Sequence, residues 1–73
     1  MGITLKAARV NADLTQVQFA DALGVSKLTV SEWELGKRRI KPVYLPAIAH
    51  VLNVSMDDII LPKVITKSNR KVE

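Results

Sequence analysis

The sequence contains no cysteine, so neither a disulfide framework nor a thiolate metal site is available and the fold must be held by packing alone. Aromatics are scarce as well, Phe19, Trp33 and Tyr44 being the whole supply. No apolar run approaches the roughly 20 residues that cross a bilayer, and the N-terminus lacks the basic, apolar, small-residue order of a signal peptide. A soluble, cytoplasmic protein without membrane association is expected. The inventory for catalysis is thin, with one histidine and no cluster of acids at metal-ligand spacing. Gly36-Lys37 is not a phosphate loop, because positions 31 and 38 are Ser31 and Arg38 where that loop needs glycine and Ser or Thr. We therefore expect no enzyme, no metal, no cofactor and no small-molecule ligand. His50, alone among apolar neighbours, fits an exposed or hydrogen-bonded histidine better than a ligand.

What is present suffices for one core: 73 residues, 48% hydrophobic and 25% charged. The net charge of +4 is unevenly spread. Residues 1–61 carry seven Lys or Arg against six Asp or Glu, while the last twelve residues hold Lys63, Lys67, Arg70 and Lys71 against Glu73. Four of the five residues 37–41 are basic, and Asp57 and Asp58 lie far along the chain from them. Such polarity suits a polyanionic partner. Residues 1–61 read as one domain and 62–73 as a basic tail, either flexible or forming a short strand.

Apolar spacing and cap residues divide the domain into five short helical segments, predicting an all-α bundle with helices near 4–11, 15–23, 26–35, 45–52 and 55–61. Leu5, Ala8 and Ala12 share a face of the first. Thr15 and Gln18 form a capping-box pattern opening the second, which should stop at Gly24. Ser26 is a natural cap for the third, and Gly36 a left-handed stop. The fourth carries Leu45, Ile48, Ala49 and Leu52 at core spacing, with Pro46 tolerated in its first turn and Asn53 as its stop. Ser55 and Asp58 suggest a second capping box before Met56, Ile59 and Ile60.

Residues 15–37 are the decisive stretch. Ala20, Gly24 and Val30 place a small residue, a turn glycine and a β-branched core residue at offsets of four and six, the spacing of a helix-turn-helix. On a helical wheel Val30 and Trp33 point to the core, leaving Lys27, Leu28, Ser31 and Glu32 on the opposite, exposed face. Taken alone, such a hairpin with a glycine turn is common.

The surroundings extend the match from Leu5 to about Leu61. Leu5 to Arg9, Leu14-Thr15-Gln16, Phe19-Ala20, Leu23-Gly24-Val25-Ser26, Val30-Ser31, Trp33-Glu34, Gly36-Lys37 and Leu52-Asn53-Val54-Ser55 follow in order. On these motifs the sequence strongly resembles the Cro/phage-repressor-like helix-turn-helix family. The resemblance implies a phage or bacterial transcriptional regulator that sets the third helix in the major groove of operator DNA. Lys27 can then donate to guanine, Leu28 pack on a thymine methyl and Glu32 accept from cytosine N4, with Ser31 beside them. It implies phosphate contacts from Thr15, Gln16, Ser26 and Thr29 at helix N-termini. The cluster Lys37, Arg38, Arg39 and Lys41 would neutralise neighbouring phosphates, its other reading being a solvated loop. Arg9 and Glu34 match a structural, partly buried ion pair. Leu35 departs from the family's usual polar residue and suggests a hydrophobic helix cap. A homodimer is implied, with Ile59, Ile60, Leu61, Val64 and Ile65 as leftover apolar residues for its interface. The rival class is a protein-interaction module such as an antitoxin of the same fold, which an apolar face on the third helix would favour.

Overall fold

The computed structural model of the protein describes residues 2–61. In chain order it contains β1 (Ile3–Thr4), α1 (Leu5–Asn11), α2 (Gln16–Leu23), α3 (Lys27–Leu35), a 3-10 turn at Pro42–Tyr44, α4 (Leu45–Leu52), a second 3-10 turn at Met56–Asp58, and β2 (Ile59–Ile60). The helices are short, so their ends carry much of their definition. Thr4, Thr15 and Ser26 cap α1, α2 and α3, each hydroxyl accepting a backbone N–H three residues on. At Thr15 the box is reciprocal, because its own N–H donates to Gln18 Oε1 at 2.9 Å. Each such cap contributes about 1 kcal/mol.

Three helices stop by the same device. Gly24 (φ 74°), Gly36 (φ 76°) and Asn53 (φ 56°) are left-handed. The residue after each donates back to a carbonyl five positions earlier: Val25 to Ala20, Lys37 to Glu32 and Val54 to Ala49, at 2.8–3.1 Å. The following residue is a half-buried valine in two cases, tucking the chain under its helix. At α3 it is the exposed Lys37, and the chain leaves along the surface. Nothing lies within 4 Å of a Cβ built on Gly24, so glycine is needed there for its backbone angle and not for space.

Leu5 and Ala8 from α1, Phe19 and Ala20 from α2, Val30 and Trp33 from α3, Ile48 and Leu52 from α4, and Ile59 from β2 form the buried core. Phe19, Val30 and Ile48 are completely buried. Ala20 and Val30 are both buried in that core, and the small side chain of Ala20 suits close packing of α2 on α3 across the Gly24 turn.

The expected fifth helix over 55–61 is not formed, and the described residues hold four α-helices with a two-stranded parallel sheet. β1 and β2 pair Ile3 with Ile59 and Thr4 with Ile60. Ser55 Oγ accepts from Asp57 N at 3.3 Å, and Asp58 N donates to Ser55 O at 2.9 Å, closing a 3-10 turn instead of an α-turn. The β-branched pair Ile59-Ile60 then favours extended backbone, and Pro62 disfavours helix at the residue before it. The edge at Ile3 supplies the partner. Ile59 is thereby buried in the chain's own core, which removes it from the expected dimer surface, whereas Ile60 and Leu61 are exposed. Val64 and Ile65, and the tail 62–73 read as flexible or a short strand, lie outside the described residues.

Candidate nucleic-acid interface

α3 is anchored from behind by Val30 and Trp33, with exposures of 0% and 2%, so its opposite side is turned outward. Lys27 and Leu28 are exposed on its first turn. Ser31 and Glu32 are half-buried, less open than the wheel predicts. Ser31 is a short side chain between longer ones at helical neighbour spacing, Lys27, Leu28 and Leu35. Glu32 is covered by Arg38, whose Nε donates to Glu32 Oε1 at 2.7 Å. Leu35 makes no hydrophobic cap: it is 65% exposed, on the same side of α3 as Leu28 at 63%. Seven residues separate the two, two helical turns, which accounts for the shared side.

The N-terminus of α3 is well ordered by its polar groups. Ser26 Oγ accepts from Thr29 N at 3.1 Å, and the two hydroxyls lie 3.0 Å apart. Beyond Gly36 the basic loop turns back alongside. Tyr44, at its far end, meets Trp33 with ring centroids 5.5 Å apart at 54°, fixing the loop's return to the helix it left. Between turn and loop lies an open cleft of about 280 Å³, lined by Ser26 and Thr29 together with Arg38, Arg39 and Lys41. Two groups expected to contact phosphate separately are thus brought to one place. Among the described residues no ion pair engages Lys27, Lys37, Arg39 or Lys41.

A second cluster ties α1, α2 and α3 together. Arg9 Nε donates to Glu34 Oε2 at 2.6 Å and Nη2 to Oε1 at 3.3 Å, while Nη1 donates to the Leu14 carbonyl at 2.7 Å. The pair is nearly enclosed, with side-chain exposures of 9% and 3%. Gln16 Nε2 also donates to Glu34 Oε1, at 3.0 Å. One amide hydrogen of the half-buried Gln16 is therefore used inside the protein, and the amide carries a second. The hydroxyl oxygen of Thr15 accepts from Gln18 N in its cap, a bond that does not use its own O–H hydrogen.

Sequence reasoning missed the Glu32–Arg38 pair, the Gln16–Glu34 bond and the Trp33–Tyr44 contact. The first had a signal: a left-handed stop at Gly36 returns the chain over the last turn of α3, so residues on either side of it become neighbours. The other two depend on how whole elements pack. Among the described residues no group of three or more His, Asp or Glu could hold a metal ion, and no helix is long and apolar enough to cross a membrane. His50 is exposed.

Two short helices joined by a left-handed turn, the second anchored behind by Val30 and Trp33 and open in front beside a basic loop, are the arrangement of a helix-turn-helix module. A helix-turn-helix family model matches residues 5–59, and the chain belongs to that family, of the Cro/phage-repressor type. The chain is also similar to the antitoxin PezA of Streptococcus pneumoniae serotype 4, at 33% identity over 60 residues. That match takes in 82% of this chain but only 38% of the relative's length. No solved structure matches the chain significantly.

Proposed function

We propose that the protein is a sequence-specific DNA-binding transcriptional regulator that places α3 in the major groove of an operator. The observation carrying this reading is the exposed first turn of α3, with Lys27 and Leu28, set beside a cleft lined by Ser26 and Thr29 together with Arg38, Arg39 and Lys41. One surface then supplies both needs of DNA recognition: donors and apolar contacts for base edges, and cations for the phosphates on either side. Lys27, Leu28, Ser31 and Glu32 are the base readers in this reading. Gln16 and Thr15 hold phosphate from the start of α2, through the second amide hydrogen of Gln16, the O–H of Thr15 and the backbone N–H groups of the first turn. Arg9 and Glu34 hold the scaffold and touch no DNA. The reading assigns no catalysis, cofactor or small-molecule ligand, and it places the protein in the cytoplasm, where the DNA is.

A single module of this size buries roughly 600 to 1,000 Å² on DNA, little for selective binding, so we propose a homodimer on two half-sites about 34 Å apart. Of the apolar residues expected at its interface, Ile60 and Leu61 are described and exposed, at 54% and 41%. Selection from a random duplex library, with recovered sequences titrated at two salt concentrations, tests the whole reading. A palindromic motif bound far above random DNA is expected. Binding without enrichment that vanishes with added salt would leave only a basic surface.

A second reading is an antitoxin-type module that binds a protein partner. The similarity to PezA supports it, as do Leu28 and Leu35, two exposed leucines on one side of α3. The two roles are compatible. Replacing both leucines by serine should abolish copurification of a partner in the second reading, whereas in the first only Leu28→Ser should alter base preference.

A further inference from the structure

Glu32 belongs to the reading side of α3, yet its carboxylate is not presented alone. Arg38 Nε donates to Oε1 at 2.7 Å, with side-chain exposures of 51% for Arg38 and 27% for Glu32. The pairing begins in the backbone: the N–H groups of Lys37 and Arg38 both donate to the Glu32 carbonyl, at 2.8 and 3.3 Å. The left-handed turn at Gly36 thus brings the root of residue 38 back over residue 32. Arg38 differs in this from Lys37, Arg39 and Lys41, which no ion pair engages among the described residues.

A bare carboxylate entering a groove walled by phosphates meets like charge within a Debye length, about 8 Å at physiological salt. Carrying its own guanidinium, the carboxylate is neutral as a unit and oriented by a charge-assisted bond. It also keeps a second oxygen able to accept a hydrogen from an exocyclic amine. We propose that Arg38 is a positioning residue for Glu32, and that the Glu32–Arg38 pair reads an amine-bearing base edge of the cytosine type in the major groove. Arg38 then confers sequence preference and is not a general phosphate anchor. The inference rests on the operator-binding reading above.

The wild-type chain, Arg38→Ala, Glu32→Gln and the double variant are titrated against the duplex that the wild-type chain selects. The same titrations are run on that duplex with each half-site base pair changed in turn. Arg38→Ala should weaken operator binding about tenfold and erase the preference at one base pair. Glu32→Gln should erase the preference at that same base pair. Placed in the Glu32→Gln background, Arg38→Ala should change affinity by less than about twofold, since no carboxylate is left to position. Equal losses from Arg38→Ala in both backgrounds, with every base preference kept, would overturn the inference and make Arg38 a phosphate anchor. Thermal unfolding of each variant is followed alongside, and Arg38→Gln replaces Arg38→Ala, with the same expectations, if the alanine variant does not fold. Absence of any enrichment by the wild-type chain removes the operator reading, and this inference with it, before variants are compared, so the two failures are told apart.

Discussion

Arg9 and Glu34 show how much a single contact can carry in a domain of this size. Arg9 grips Glu34 through Nε and Nη2 and the Leu14 carbonyl through Nη1, so one side chain joins α1, the loop before α2 and α3 with its donors directed at acceptors. Among the described residues no buried side-chain polar atom lacks a partner, which is the condition under which an enclosed charge is tolerated. Glu34→Gln preserves the shape but leaves the guanidinium uncompensated. It should cost about 3 kcal/mol in urea unfolding, a large fraction of the stability of a small domain. Arg9→Met combined with Glu34→Leu should recover most of that loss; a single-variant cost near zero would mean that water screens the pair. The pairing was legible in the sequence only through family resemblance. No spacing rule joins residues 25 apart, and the third partner, Gln16, was visible by neither route because its role depends on where α2 sits against α3.

Helix ends were the most legible feature at the scale of elements. Thr15, Ser26, Gly24, Gly36 and Asn53 all sit at the ends that their chemistry implied, since caps and left-handed stops are decided within a few residues. The last segment failed for the complementary reason. Met56, Ile59 and Ile60 have helical spacing, but three residues of periodicity cannot outweigh a strand edge waiting at Ile3, far away in sequence. The pairing makes neighbouring isoleucines unequal, Ile59 being 9% and Ile60 54% exposed. Ile59→Ala should therefore cost about 2–3 kcal/mol and Ile60→Ala under about 1 kcal/mol in denaturant unfolding of the monomer. Equal costs would contradict the register.

At the scale of the molecule, the fold sets the basic 37–41 cluster beside one end of α3 although the domain as a whole is close to neutral. Residues 1–61 are nearly neutral overall, yet the return of the 37–41 loop to α3, held by Tyr44 on Trp33, sets Arg38, Arg39 and Lys41 beside the N-terminus of the exposed helix. Binding by this surface should separate into two kinds of residue. Arg39→Ala should weaken all duplexes alike and reduce the salt slope by about one unit, whereas Lys27→Ala should change the preferred base at one half-site position. Uniform loss from both, measured by titration at several salt concentrations, would abolish the distinction between readers and anchors.

The sequence by itself determined what is local or periodic: four of the five helices it predicted, the caps at Thr15 and Ser26, the stops at Gly24, Gly36 and Asn53, the core faces of α2 and α3, and the spacing that marks a helix-turn-helix. These features arise from backbone geometry over three to seven residues, where side-chain type and position are sufficient information. Tertiary structure alone decided which distant groups meet. It turned a predicted fifth helix into a strand paired with the start of the chain, drew Gln16 onto Glu34, and seated Tyr44 on Trp33. It also joined Arg38 to Glu32, two residues that the sequence assigned to different duties. Such contacts are selected by the packing of whole elements, and a one-dimensional pattern holds no record of which side chains that packing will bring within hydrogen-bonding distance.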